Sequence, residues 1–133
     1  MATAQSVTRK WVELSPDIWR ARFTWTCTDL GVVSEAFTAE EKARVFGMYL
    51  FLIVTNPSAT APTTLYDITL VDDEDLDIAG GVLANRSATV TEQEVPKLGS
   101  TVYGDRIVDG GLTVTIAAAG DAKIGDVILY FRR

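Results

Sequence analysis

The chain has 133 residues, 47% of them hydrophobic, and a formal net charge of −6; this is enough apolar material to close one core without disulfide or metal support. It has no histidine and one cysteine, Cys27, which removes the commonest general base, the commonest metal ligand and any intramolecular disulfide. No cluster of Lys or Arg offers the phosphate-neutralising surface that nucleic acid requires, and the longest apolar run, residues 48–54, falls far short of the roughly 20 residues that span a bilayer as a helix. Neither nucleic acid nor membrane is an expected partner.

Residues 1–10 are small, polar and weakly patterned, with no apolar run behind their charges. They carry no leader pattern and read as a flexible N-terminal arm, either free or ordered against a neighbouring subunit. The expected domain is then a single unit over 11–133.

Residues 10–14 are read as a strand carrying Trp11, a candidate interface residue. Residues 19–27 alternate strictly, with Trp19, Ala21, Phe23, Trp25 and Cys27 on one parity and Arg20, Arg22, Thr24 and Thr26 on the other. That period of two predicts a strand with one face in the core and one wet. It makes Cys27 a small buried apolar residue, because a reactive thiol needs an electropositive and partly exposed setting. By the same parity Trp19 and Trp25 belong to the core and not to a sugar-stacking platform.

After a further strand at 32–37, Thr38 and Glu41 have capping-box spacing, with Lys42 and Arg44 toward the other end; one short helix is expected over 39–45. Residues 45–55 are almost continuously apolar or β-branched, as are 127–131, and both are read as central strands covered on two sides. Gly47 is read as a bulge or close backbone contact. Residues 66–71 form another strand, entered through the Pro-, Ser- and Thr-rich stretch 56–64. Short strands at 82–84 and 88–91, and a half-buried one at 112–117 behind Gly110 and Gly111, complete the prediction. This order predicts an all-β, mostly antiparallel sandwich or jelly-roll-like fold.

Asp72, Asp73, Glu74, Asp75 and Asp77 make the densest charge in the chain. If Asp73, Asp75 and Asp77 took the first, third and fifth places of an EF-hand, the sixth would be Ile78 where Gly is required and the twelfth Ala84 where Glu is required. The expected state is a solvated acidic turn, with those three aspartates the candidates for any Ca²⁺. No cofactor is expected. Two carboxylates could serve glycoside hydrolysis only if they faced one another across a cleft, and adjacent loop acids do not imply this. No Gly-x-Ser-x-Gly elbow or Ser-x-x-Lys motif occurs, and the Gly pairs at 80–81 and 110–111 lack a phosphate-loop pattern. Asn85-Arg86-Ser87 matches a glycosylation sequon, a short pattern that chance often supplies. No enzyme activity is expected. A carbohydrate or host-surface binding module is the alternative that three tryptophans, four tyrosines and the acidic loop suggest.

From residue 45 onward, the order of an apolar strand, a Pro-containing loop, Tyr66-Asp67-Ile68-Thr69-Leu70, an acidic loop, Gly80-Gly81-Val82-Leu83-Ala84-Asn85-Arg86 and the closing Gly125-Asp126-Val127-Ile128-Leu129-Tyr130-Phe131 resembles small virion structural proteins of tailed bacteriophages. The resemblance covers about two thirds of the chain and excludes residues 1–44. It implies a non-enzymatic capsid decoration or cement protein, made in the bacterial host cytoplasm and carried in the virion. Its partners would be capsid or other virion proteins, and it would form a homo-oligomer such as a trimer. A neck, baseplate or tail-fibre attachment component is the alternative within the same family. The candidate interface residues are Trp11, Arg20, Arg22 and Arg132.

Overall fold

The computed structural model describes residues 4–133. It contains nine strands and one helix: β1 (Ser6–Ser15), β2 (Ile18–Thr26), β3 (Val33–Ala36), α1 (Ala39–Val45), β4 (Tyr49–Pro57), β5 (Asp67–Val71), β6 (Glu92–Glu94), β7 (Arg106–Ile107), β8 (Thr113–Ala117) and β9 (Ile124–Arg132). One sheet runs β1-β2-β9-β4-β6, with β7 also paired to β4; the other runs β3-β8-β5. All these strand pairs are antiparallel. The fold is an all-β, sandwich-like pair of sheets with one short helix.

The alternation of 19–27 produces β2 as expected. Ala21, Phe23, Trp25 and Cys27 are buried, and they meet Val33, Ile68, Leu70, Val114 and Ile116 of the smaller sheet in one core. Strand β9 lies between β2 and β4 and sends Val127, Leu129 and Phe131 into that core. Gly125 permits the close packing there, because a Cβ at that position would stand 2.6 Å from the Trp25 ring. The Cys27 thiol donates to the Gly120 carbonyl and accepts from the Lys123 amide, both at 3.1 Å.

The capping box forms. Thr38 Oγ1 accepts from the Glu41 amide and Glu41 Oε1 accepts from the Thr38 amide, which satisfies two of the donors left open at a helix start. The expected strand 45–55 is corrected at its beginning, because Val45 closes the helix and Gly47, at φ +80°, turns the chain before β4 starts at Tyr49. The glycine is therefore a break, and the bulge lies beyond it, between Leu50 and Leu52.

The expected arm is corrected as well. Residues 1–3 lie outside the described residues, but from Ser6 the chain is a full strand against β2. Strand-forming contacts reach this far because the inward parity, Val7, Arg9 and Trp11, packs on or over the core. Residues 82–84 and 88–91 are turns and bends, not strands. Ser87 Oγ accepts from the Thr89 and Val90 amides and holds the second of them bent, so the ladder begins only at β6.

Strand β1 is fixed to the helix by one carboxylate. Glu41, 4% exposed, accepts at Oε2 from Trp11 Nε1 at 2.7 Å, and the same oxygen lies 2.9 Å from Arg9 Nε. The Arg9 contact is ionic, since its angle does not make a hydrogen bond. Arg9 also reaches Glu35 at 2.8 Å. Glu41→Ala removes one of the two carboxylates from a partly buried guanidinium and leaves a partly buried indole N–H without its partner, and is expected to cost about 3 kcal/mol in denaturant unfolding. Exposed Glu40→Ala, on the same helix, is expected to cost less than about 1 kcal/mol.

Candidate functional site: the outer face of the larger sheet

The smaller sheet and α1 both lie on the inner side of the larger sheet, so its outer face has no layer over it among the described residues. Register places four rows of side chains across that face. They read Thr8–Thr24–Asp126–Asn56, Lys10–Arg22–Ile128–Val54–Gln93, Val12–Arg20–Tyr130–Leu52, and Ile18–Arg132–Tyr49–Ile107.

The middle rows carry the apolar surface. At the β4 bulge Leu50 points inward opposite Phe131 and Leu52 outward opposite Tyr130, with Phe51 as the extra residue. Phe51 sits 6.2 Å from the Tyr130 ring, so two consecutive large apolar side chains share the outer face. Leu52, Val95 and Tyr103 line a shallow groove of about 350 Å³ with Gln93 and Glu94. Tyr103 is 58% exposed and Val95 39%. Residues 45–55 were expected to be covered on both sides, and here the structure differs. Leu50, Ile53 and Thr55 are buried, while Phe51, Leu52 and Val54 are only half-buried. Ile128 is buried on the same face by its flanking neighbours Arg22 and Val54.

The rim is basic. Lys10, Arg20, Arg22 and Arg132 stand against Asp126, Asp105 and the groove-lining Glu94, four cations to three carboxylates on a chain whose net charge is −6. Arg22 pairs with Asp126 at 2.7 Å, and the same carboxylate accepts from Thr24. Arg132 pairs with Asp105 and lies over the Tyr49 ring. Lys10 and Arg20 have no ion-pair partner among the described residues.

Of the residues singled out from sequence, Arg20, Arg22 and Arg132 thus share this face. Trp11 does not: it packs within 6.0–6.5 Å of Trp19, Phe23, Phe37 and Phe131. Its indole is committed to Glu41 and Arg44 caps its ring. With Trp25 buried as well, the tryptophans do not build a sugar platform.

The aspartates of the acidic loop are not brought together as ligands. Asp77 accepts from the Leu70, Ala79 and Gly81 amides, Asp73 accepts from Gly111 N, and Asp75 occupies an exposed turn position at φ +60°. Among the described residues no group of three or more His, Cys, Asp or Glu is placed to hold a metal ion. A second groove, between Lys42, Phe46, Asp73 and Gly111, gathers no further titratable group.

Sequence reasoning missed Phe51, Leu52, Val54, Val95, Tyr103 and Tyr130 as surface residues. Their apolar character was visible, but the number of layers over them was not. Comparison of the chain with protein-family models, with curated proteins and with solved structures finds no match in any of the three. The class that fold and surface define is an antiparallel two-sheet protein with an uncovered apolar sheet face and a basic rim.

Behind this sheet, burial pushes the Tyr66 hydroxyl up to about 12, with Arg86 opposing and Glu92 and Asp126 adding to the rise. The hydroxyl has no hydrogen-bond partner among the described residues. Below the ordinary tyrosine value near pH 10 the phenol is neutral in both folded and unfolded chains. Between about 10 and 12 only the unfolded chain ionises, so stability falls as pH rises, by at most about 1.4 kcal/mol per pH unit. Tyr66→Phe should flatten that part of the alkaline unfolding profile, and at pH 7 should change stability by less than about 1 kcal/mol because no hydrogen bond is lost.

Proposed function

We propose that this chain is a non-catalytic structural protein of a tailed-bacteriophage particle, seated on the capsid shell through the outer face of its larger sheet and bridging neighbouring coat subunits. The observation that carries the reading is the uncovered surface of Phe51, Leu52, Val54 and Tyr130, continued by Val95 and Tyr103. A contiguous apolar area rimmed by polar groups is characteristic of a protein-binding site, and aromatic residues with arginine supply most of the energy in such contacts. The phage assignment itself is supported by the sequence resemblance over residues 45–133.

The rim directs the choice of partner. Lys10 and Arg20, without carboxylate partners among the described residues, favour a surface that presents Asp or Glu around an apolar centre.

Quantitative mass spectrometry of purified particles of the phage encoding the chain tests this directly. The expected result is a fixed ratio of copies to coat subunits. A handful of copies per particle would move the protein to the neck or tail, and its absence would end the proposal. Leu52→Asp is expected to lower occupancy at least about tenfold, the scale of a central contact, while shifting the melting temperature by less than about 4 °C because Leu52 is already half-exposed.

A further inference from the structure

The sandwich closes its sheet edges in three places and leaves one open. At β3, the Gln5 side-chain amide donates to Ser34 O at 2.8 Å and accepts from Ser34 N at 2.9 Å, standing in for a neighbouring strand. Arg9 Nη2 takes Ala36 O of the same edge. At β5, the following loop supplies the partners: Leu83 O accepts from Ile68 N, Ile78 N donates to Leu70 O, and Asp77 Oδ1 accepts from Leu70 N. Beyond β4 lie the short strands β6 and β7.

Strand β1 is the exception. It is ten residues long, contains no proline and ends the larger sheet. Among the described residues no side chain or loop bonds its backbone on the side away from β2. Natural proteins blunt or cover such edges, because a row of free N–H and C=O groups is a template for another strand.

We infer that β1 is a strand-addition interface whose occupant is the β1 of a second copy of this chain, paired antiparallel about a two-fold axis. The edge itself argues for self-pairing. An axis normal to the sheet keeps inner face with inner face, so each residue opposes one of its own parity. Centred on Trp11, the pairing sets Arg9 opposite the partner's Glu13 twice over, Lys10 opposite the partner's Val12, and Thr8 opposite the partner's Leu14. Glu13 is exposed and has no cation partner among the described residues, and Leu14 is 48% exposed. Centring on Arg9 or Lys10 opposes like charges, which destabilises cross-strand pairs. Centring on Val12 sets Trp11 against the partner's Glu13 and forms no charge pair. The Trp11 register alone brings opposite charges together, with Glu13 joining the Arg9 guanidinium that also holds Glu35 and Glu41 of its own chain. The isologous contact is closed, so it makes a dimer and not a fibre, and it joins the two outer faces into one continuous surface.

The full chain in solution tests this without any particle. Sedimentation velocity across a wide concentration range should show a monomer–dimer equilibrium, and hydrogen exchange should show β1 amides gaining protection as concentration rises. Glu13→Arg replaces both Arg9–Glu13 pairs by like charges, and Val12→Lys sets a second lysine opposite the partner's Lys10. Each is expected to weaken the dimer about tenfold or more, while exposed Asp29→Lys should leave it unchanged. A chain that stays monomeric throughout, a dimer indifferent to both β1 variants, or β1 amides with no concentration-dependent protection would each overturn the inference. Dimer formation without particle binding would sink the shell reading alone, and particle binding by a strict monomer would sink the pairing alone.

Discussion

The Glu41 carboxylate is the constraint from which the arrangement of the larger sheet follows. A buried carboxylate is costly unless its oxygens are fully engaged, and here one oxygen completes the helix cap while the other holds Trp11 and Arg9. A single side chain therefore joins three things: the start of α1, the aromatic cluster around Trp11, and strand β1. The i to i+3 spacing of Thr38 and Glu41 is a local helix-start device, and its second oxygen turns it into a long-range tie. Arg9 extends the tie to Glu35 and Ala36, so β1 is anchored to both sheets by its inward parity.

Anchoring on that side determines what is left for solvent. With the smaller sheet and the helix both packed inside, the outward parity of β1, β2, β9 and β4 has among the described residues mainly lateral neighbours in the same sheet, with Asp105, Val95 and Tyr103 at its margin. Cross-strand pairs of this kind contribute roughly 0.2–1 kcal/mol each, too little to demand large apolar residues at those positions. Phe51, Leu52, Val54 and Tyr130 are accordingly the residues on which the proposed docking role rests. The same logic applies along the edge: the side chains that could have masked β1 are turned inward to mask β3.

Much of this was legible from sequence because local rules and tertiary packing agree in the elements concerned. The alternation from Trp19 to Cys27 gave parity, and parity alone put Arg20 and Arg22 on the side away from the core. Thr38 and Glu41 marked the helix to within its final residue. Residues 127–131 do have strands on both edges, but like 45–55 they were expected to be covered on both faces; only Val127, Leu129 and Phe131 enter the core, and Tyr130 is half-buried on the outer face. Three features were hidden. Residues 48–54 carry the composition of a doubly covered strand, and composition cannot count layers. Trp11 follows a polar segment and looked available, but its cross-strand partner Ala21 is small, and the space beside it accepts an indole. Gln5 and Arg9 lay in a stretch read as an arm because their function, closing a sheet edge some 26 or more residues away, has no local signature.

The acidic loop illustrates the opposite case, a dense charge pattern with a structural explanation. Asp72, Asp73 and Asp77 accept backbone amides that shape turns, so the carboxylates diverge. A hydroxyl-radical footprint of the chain, free and seated on particles, tests the proposed role of the outer sheet face most directly. Protection of Leu52, Tyr103 and Tyr130 with Leu65 and Leu76 unchanged is the predicted result. Protection confined to Leu65 and Leu76, on the loops at either end of β5, with the larger sheet still reactive, would contradict it.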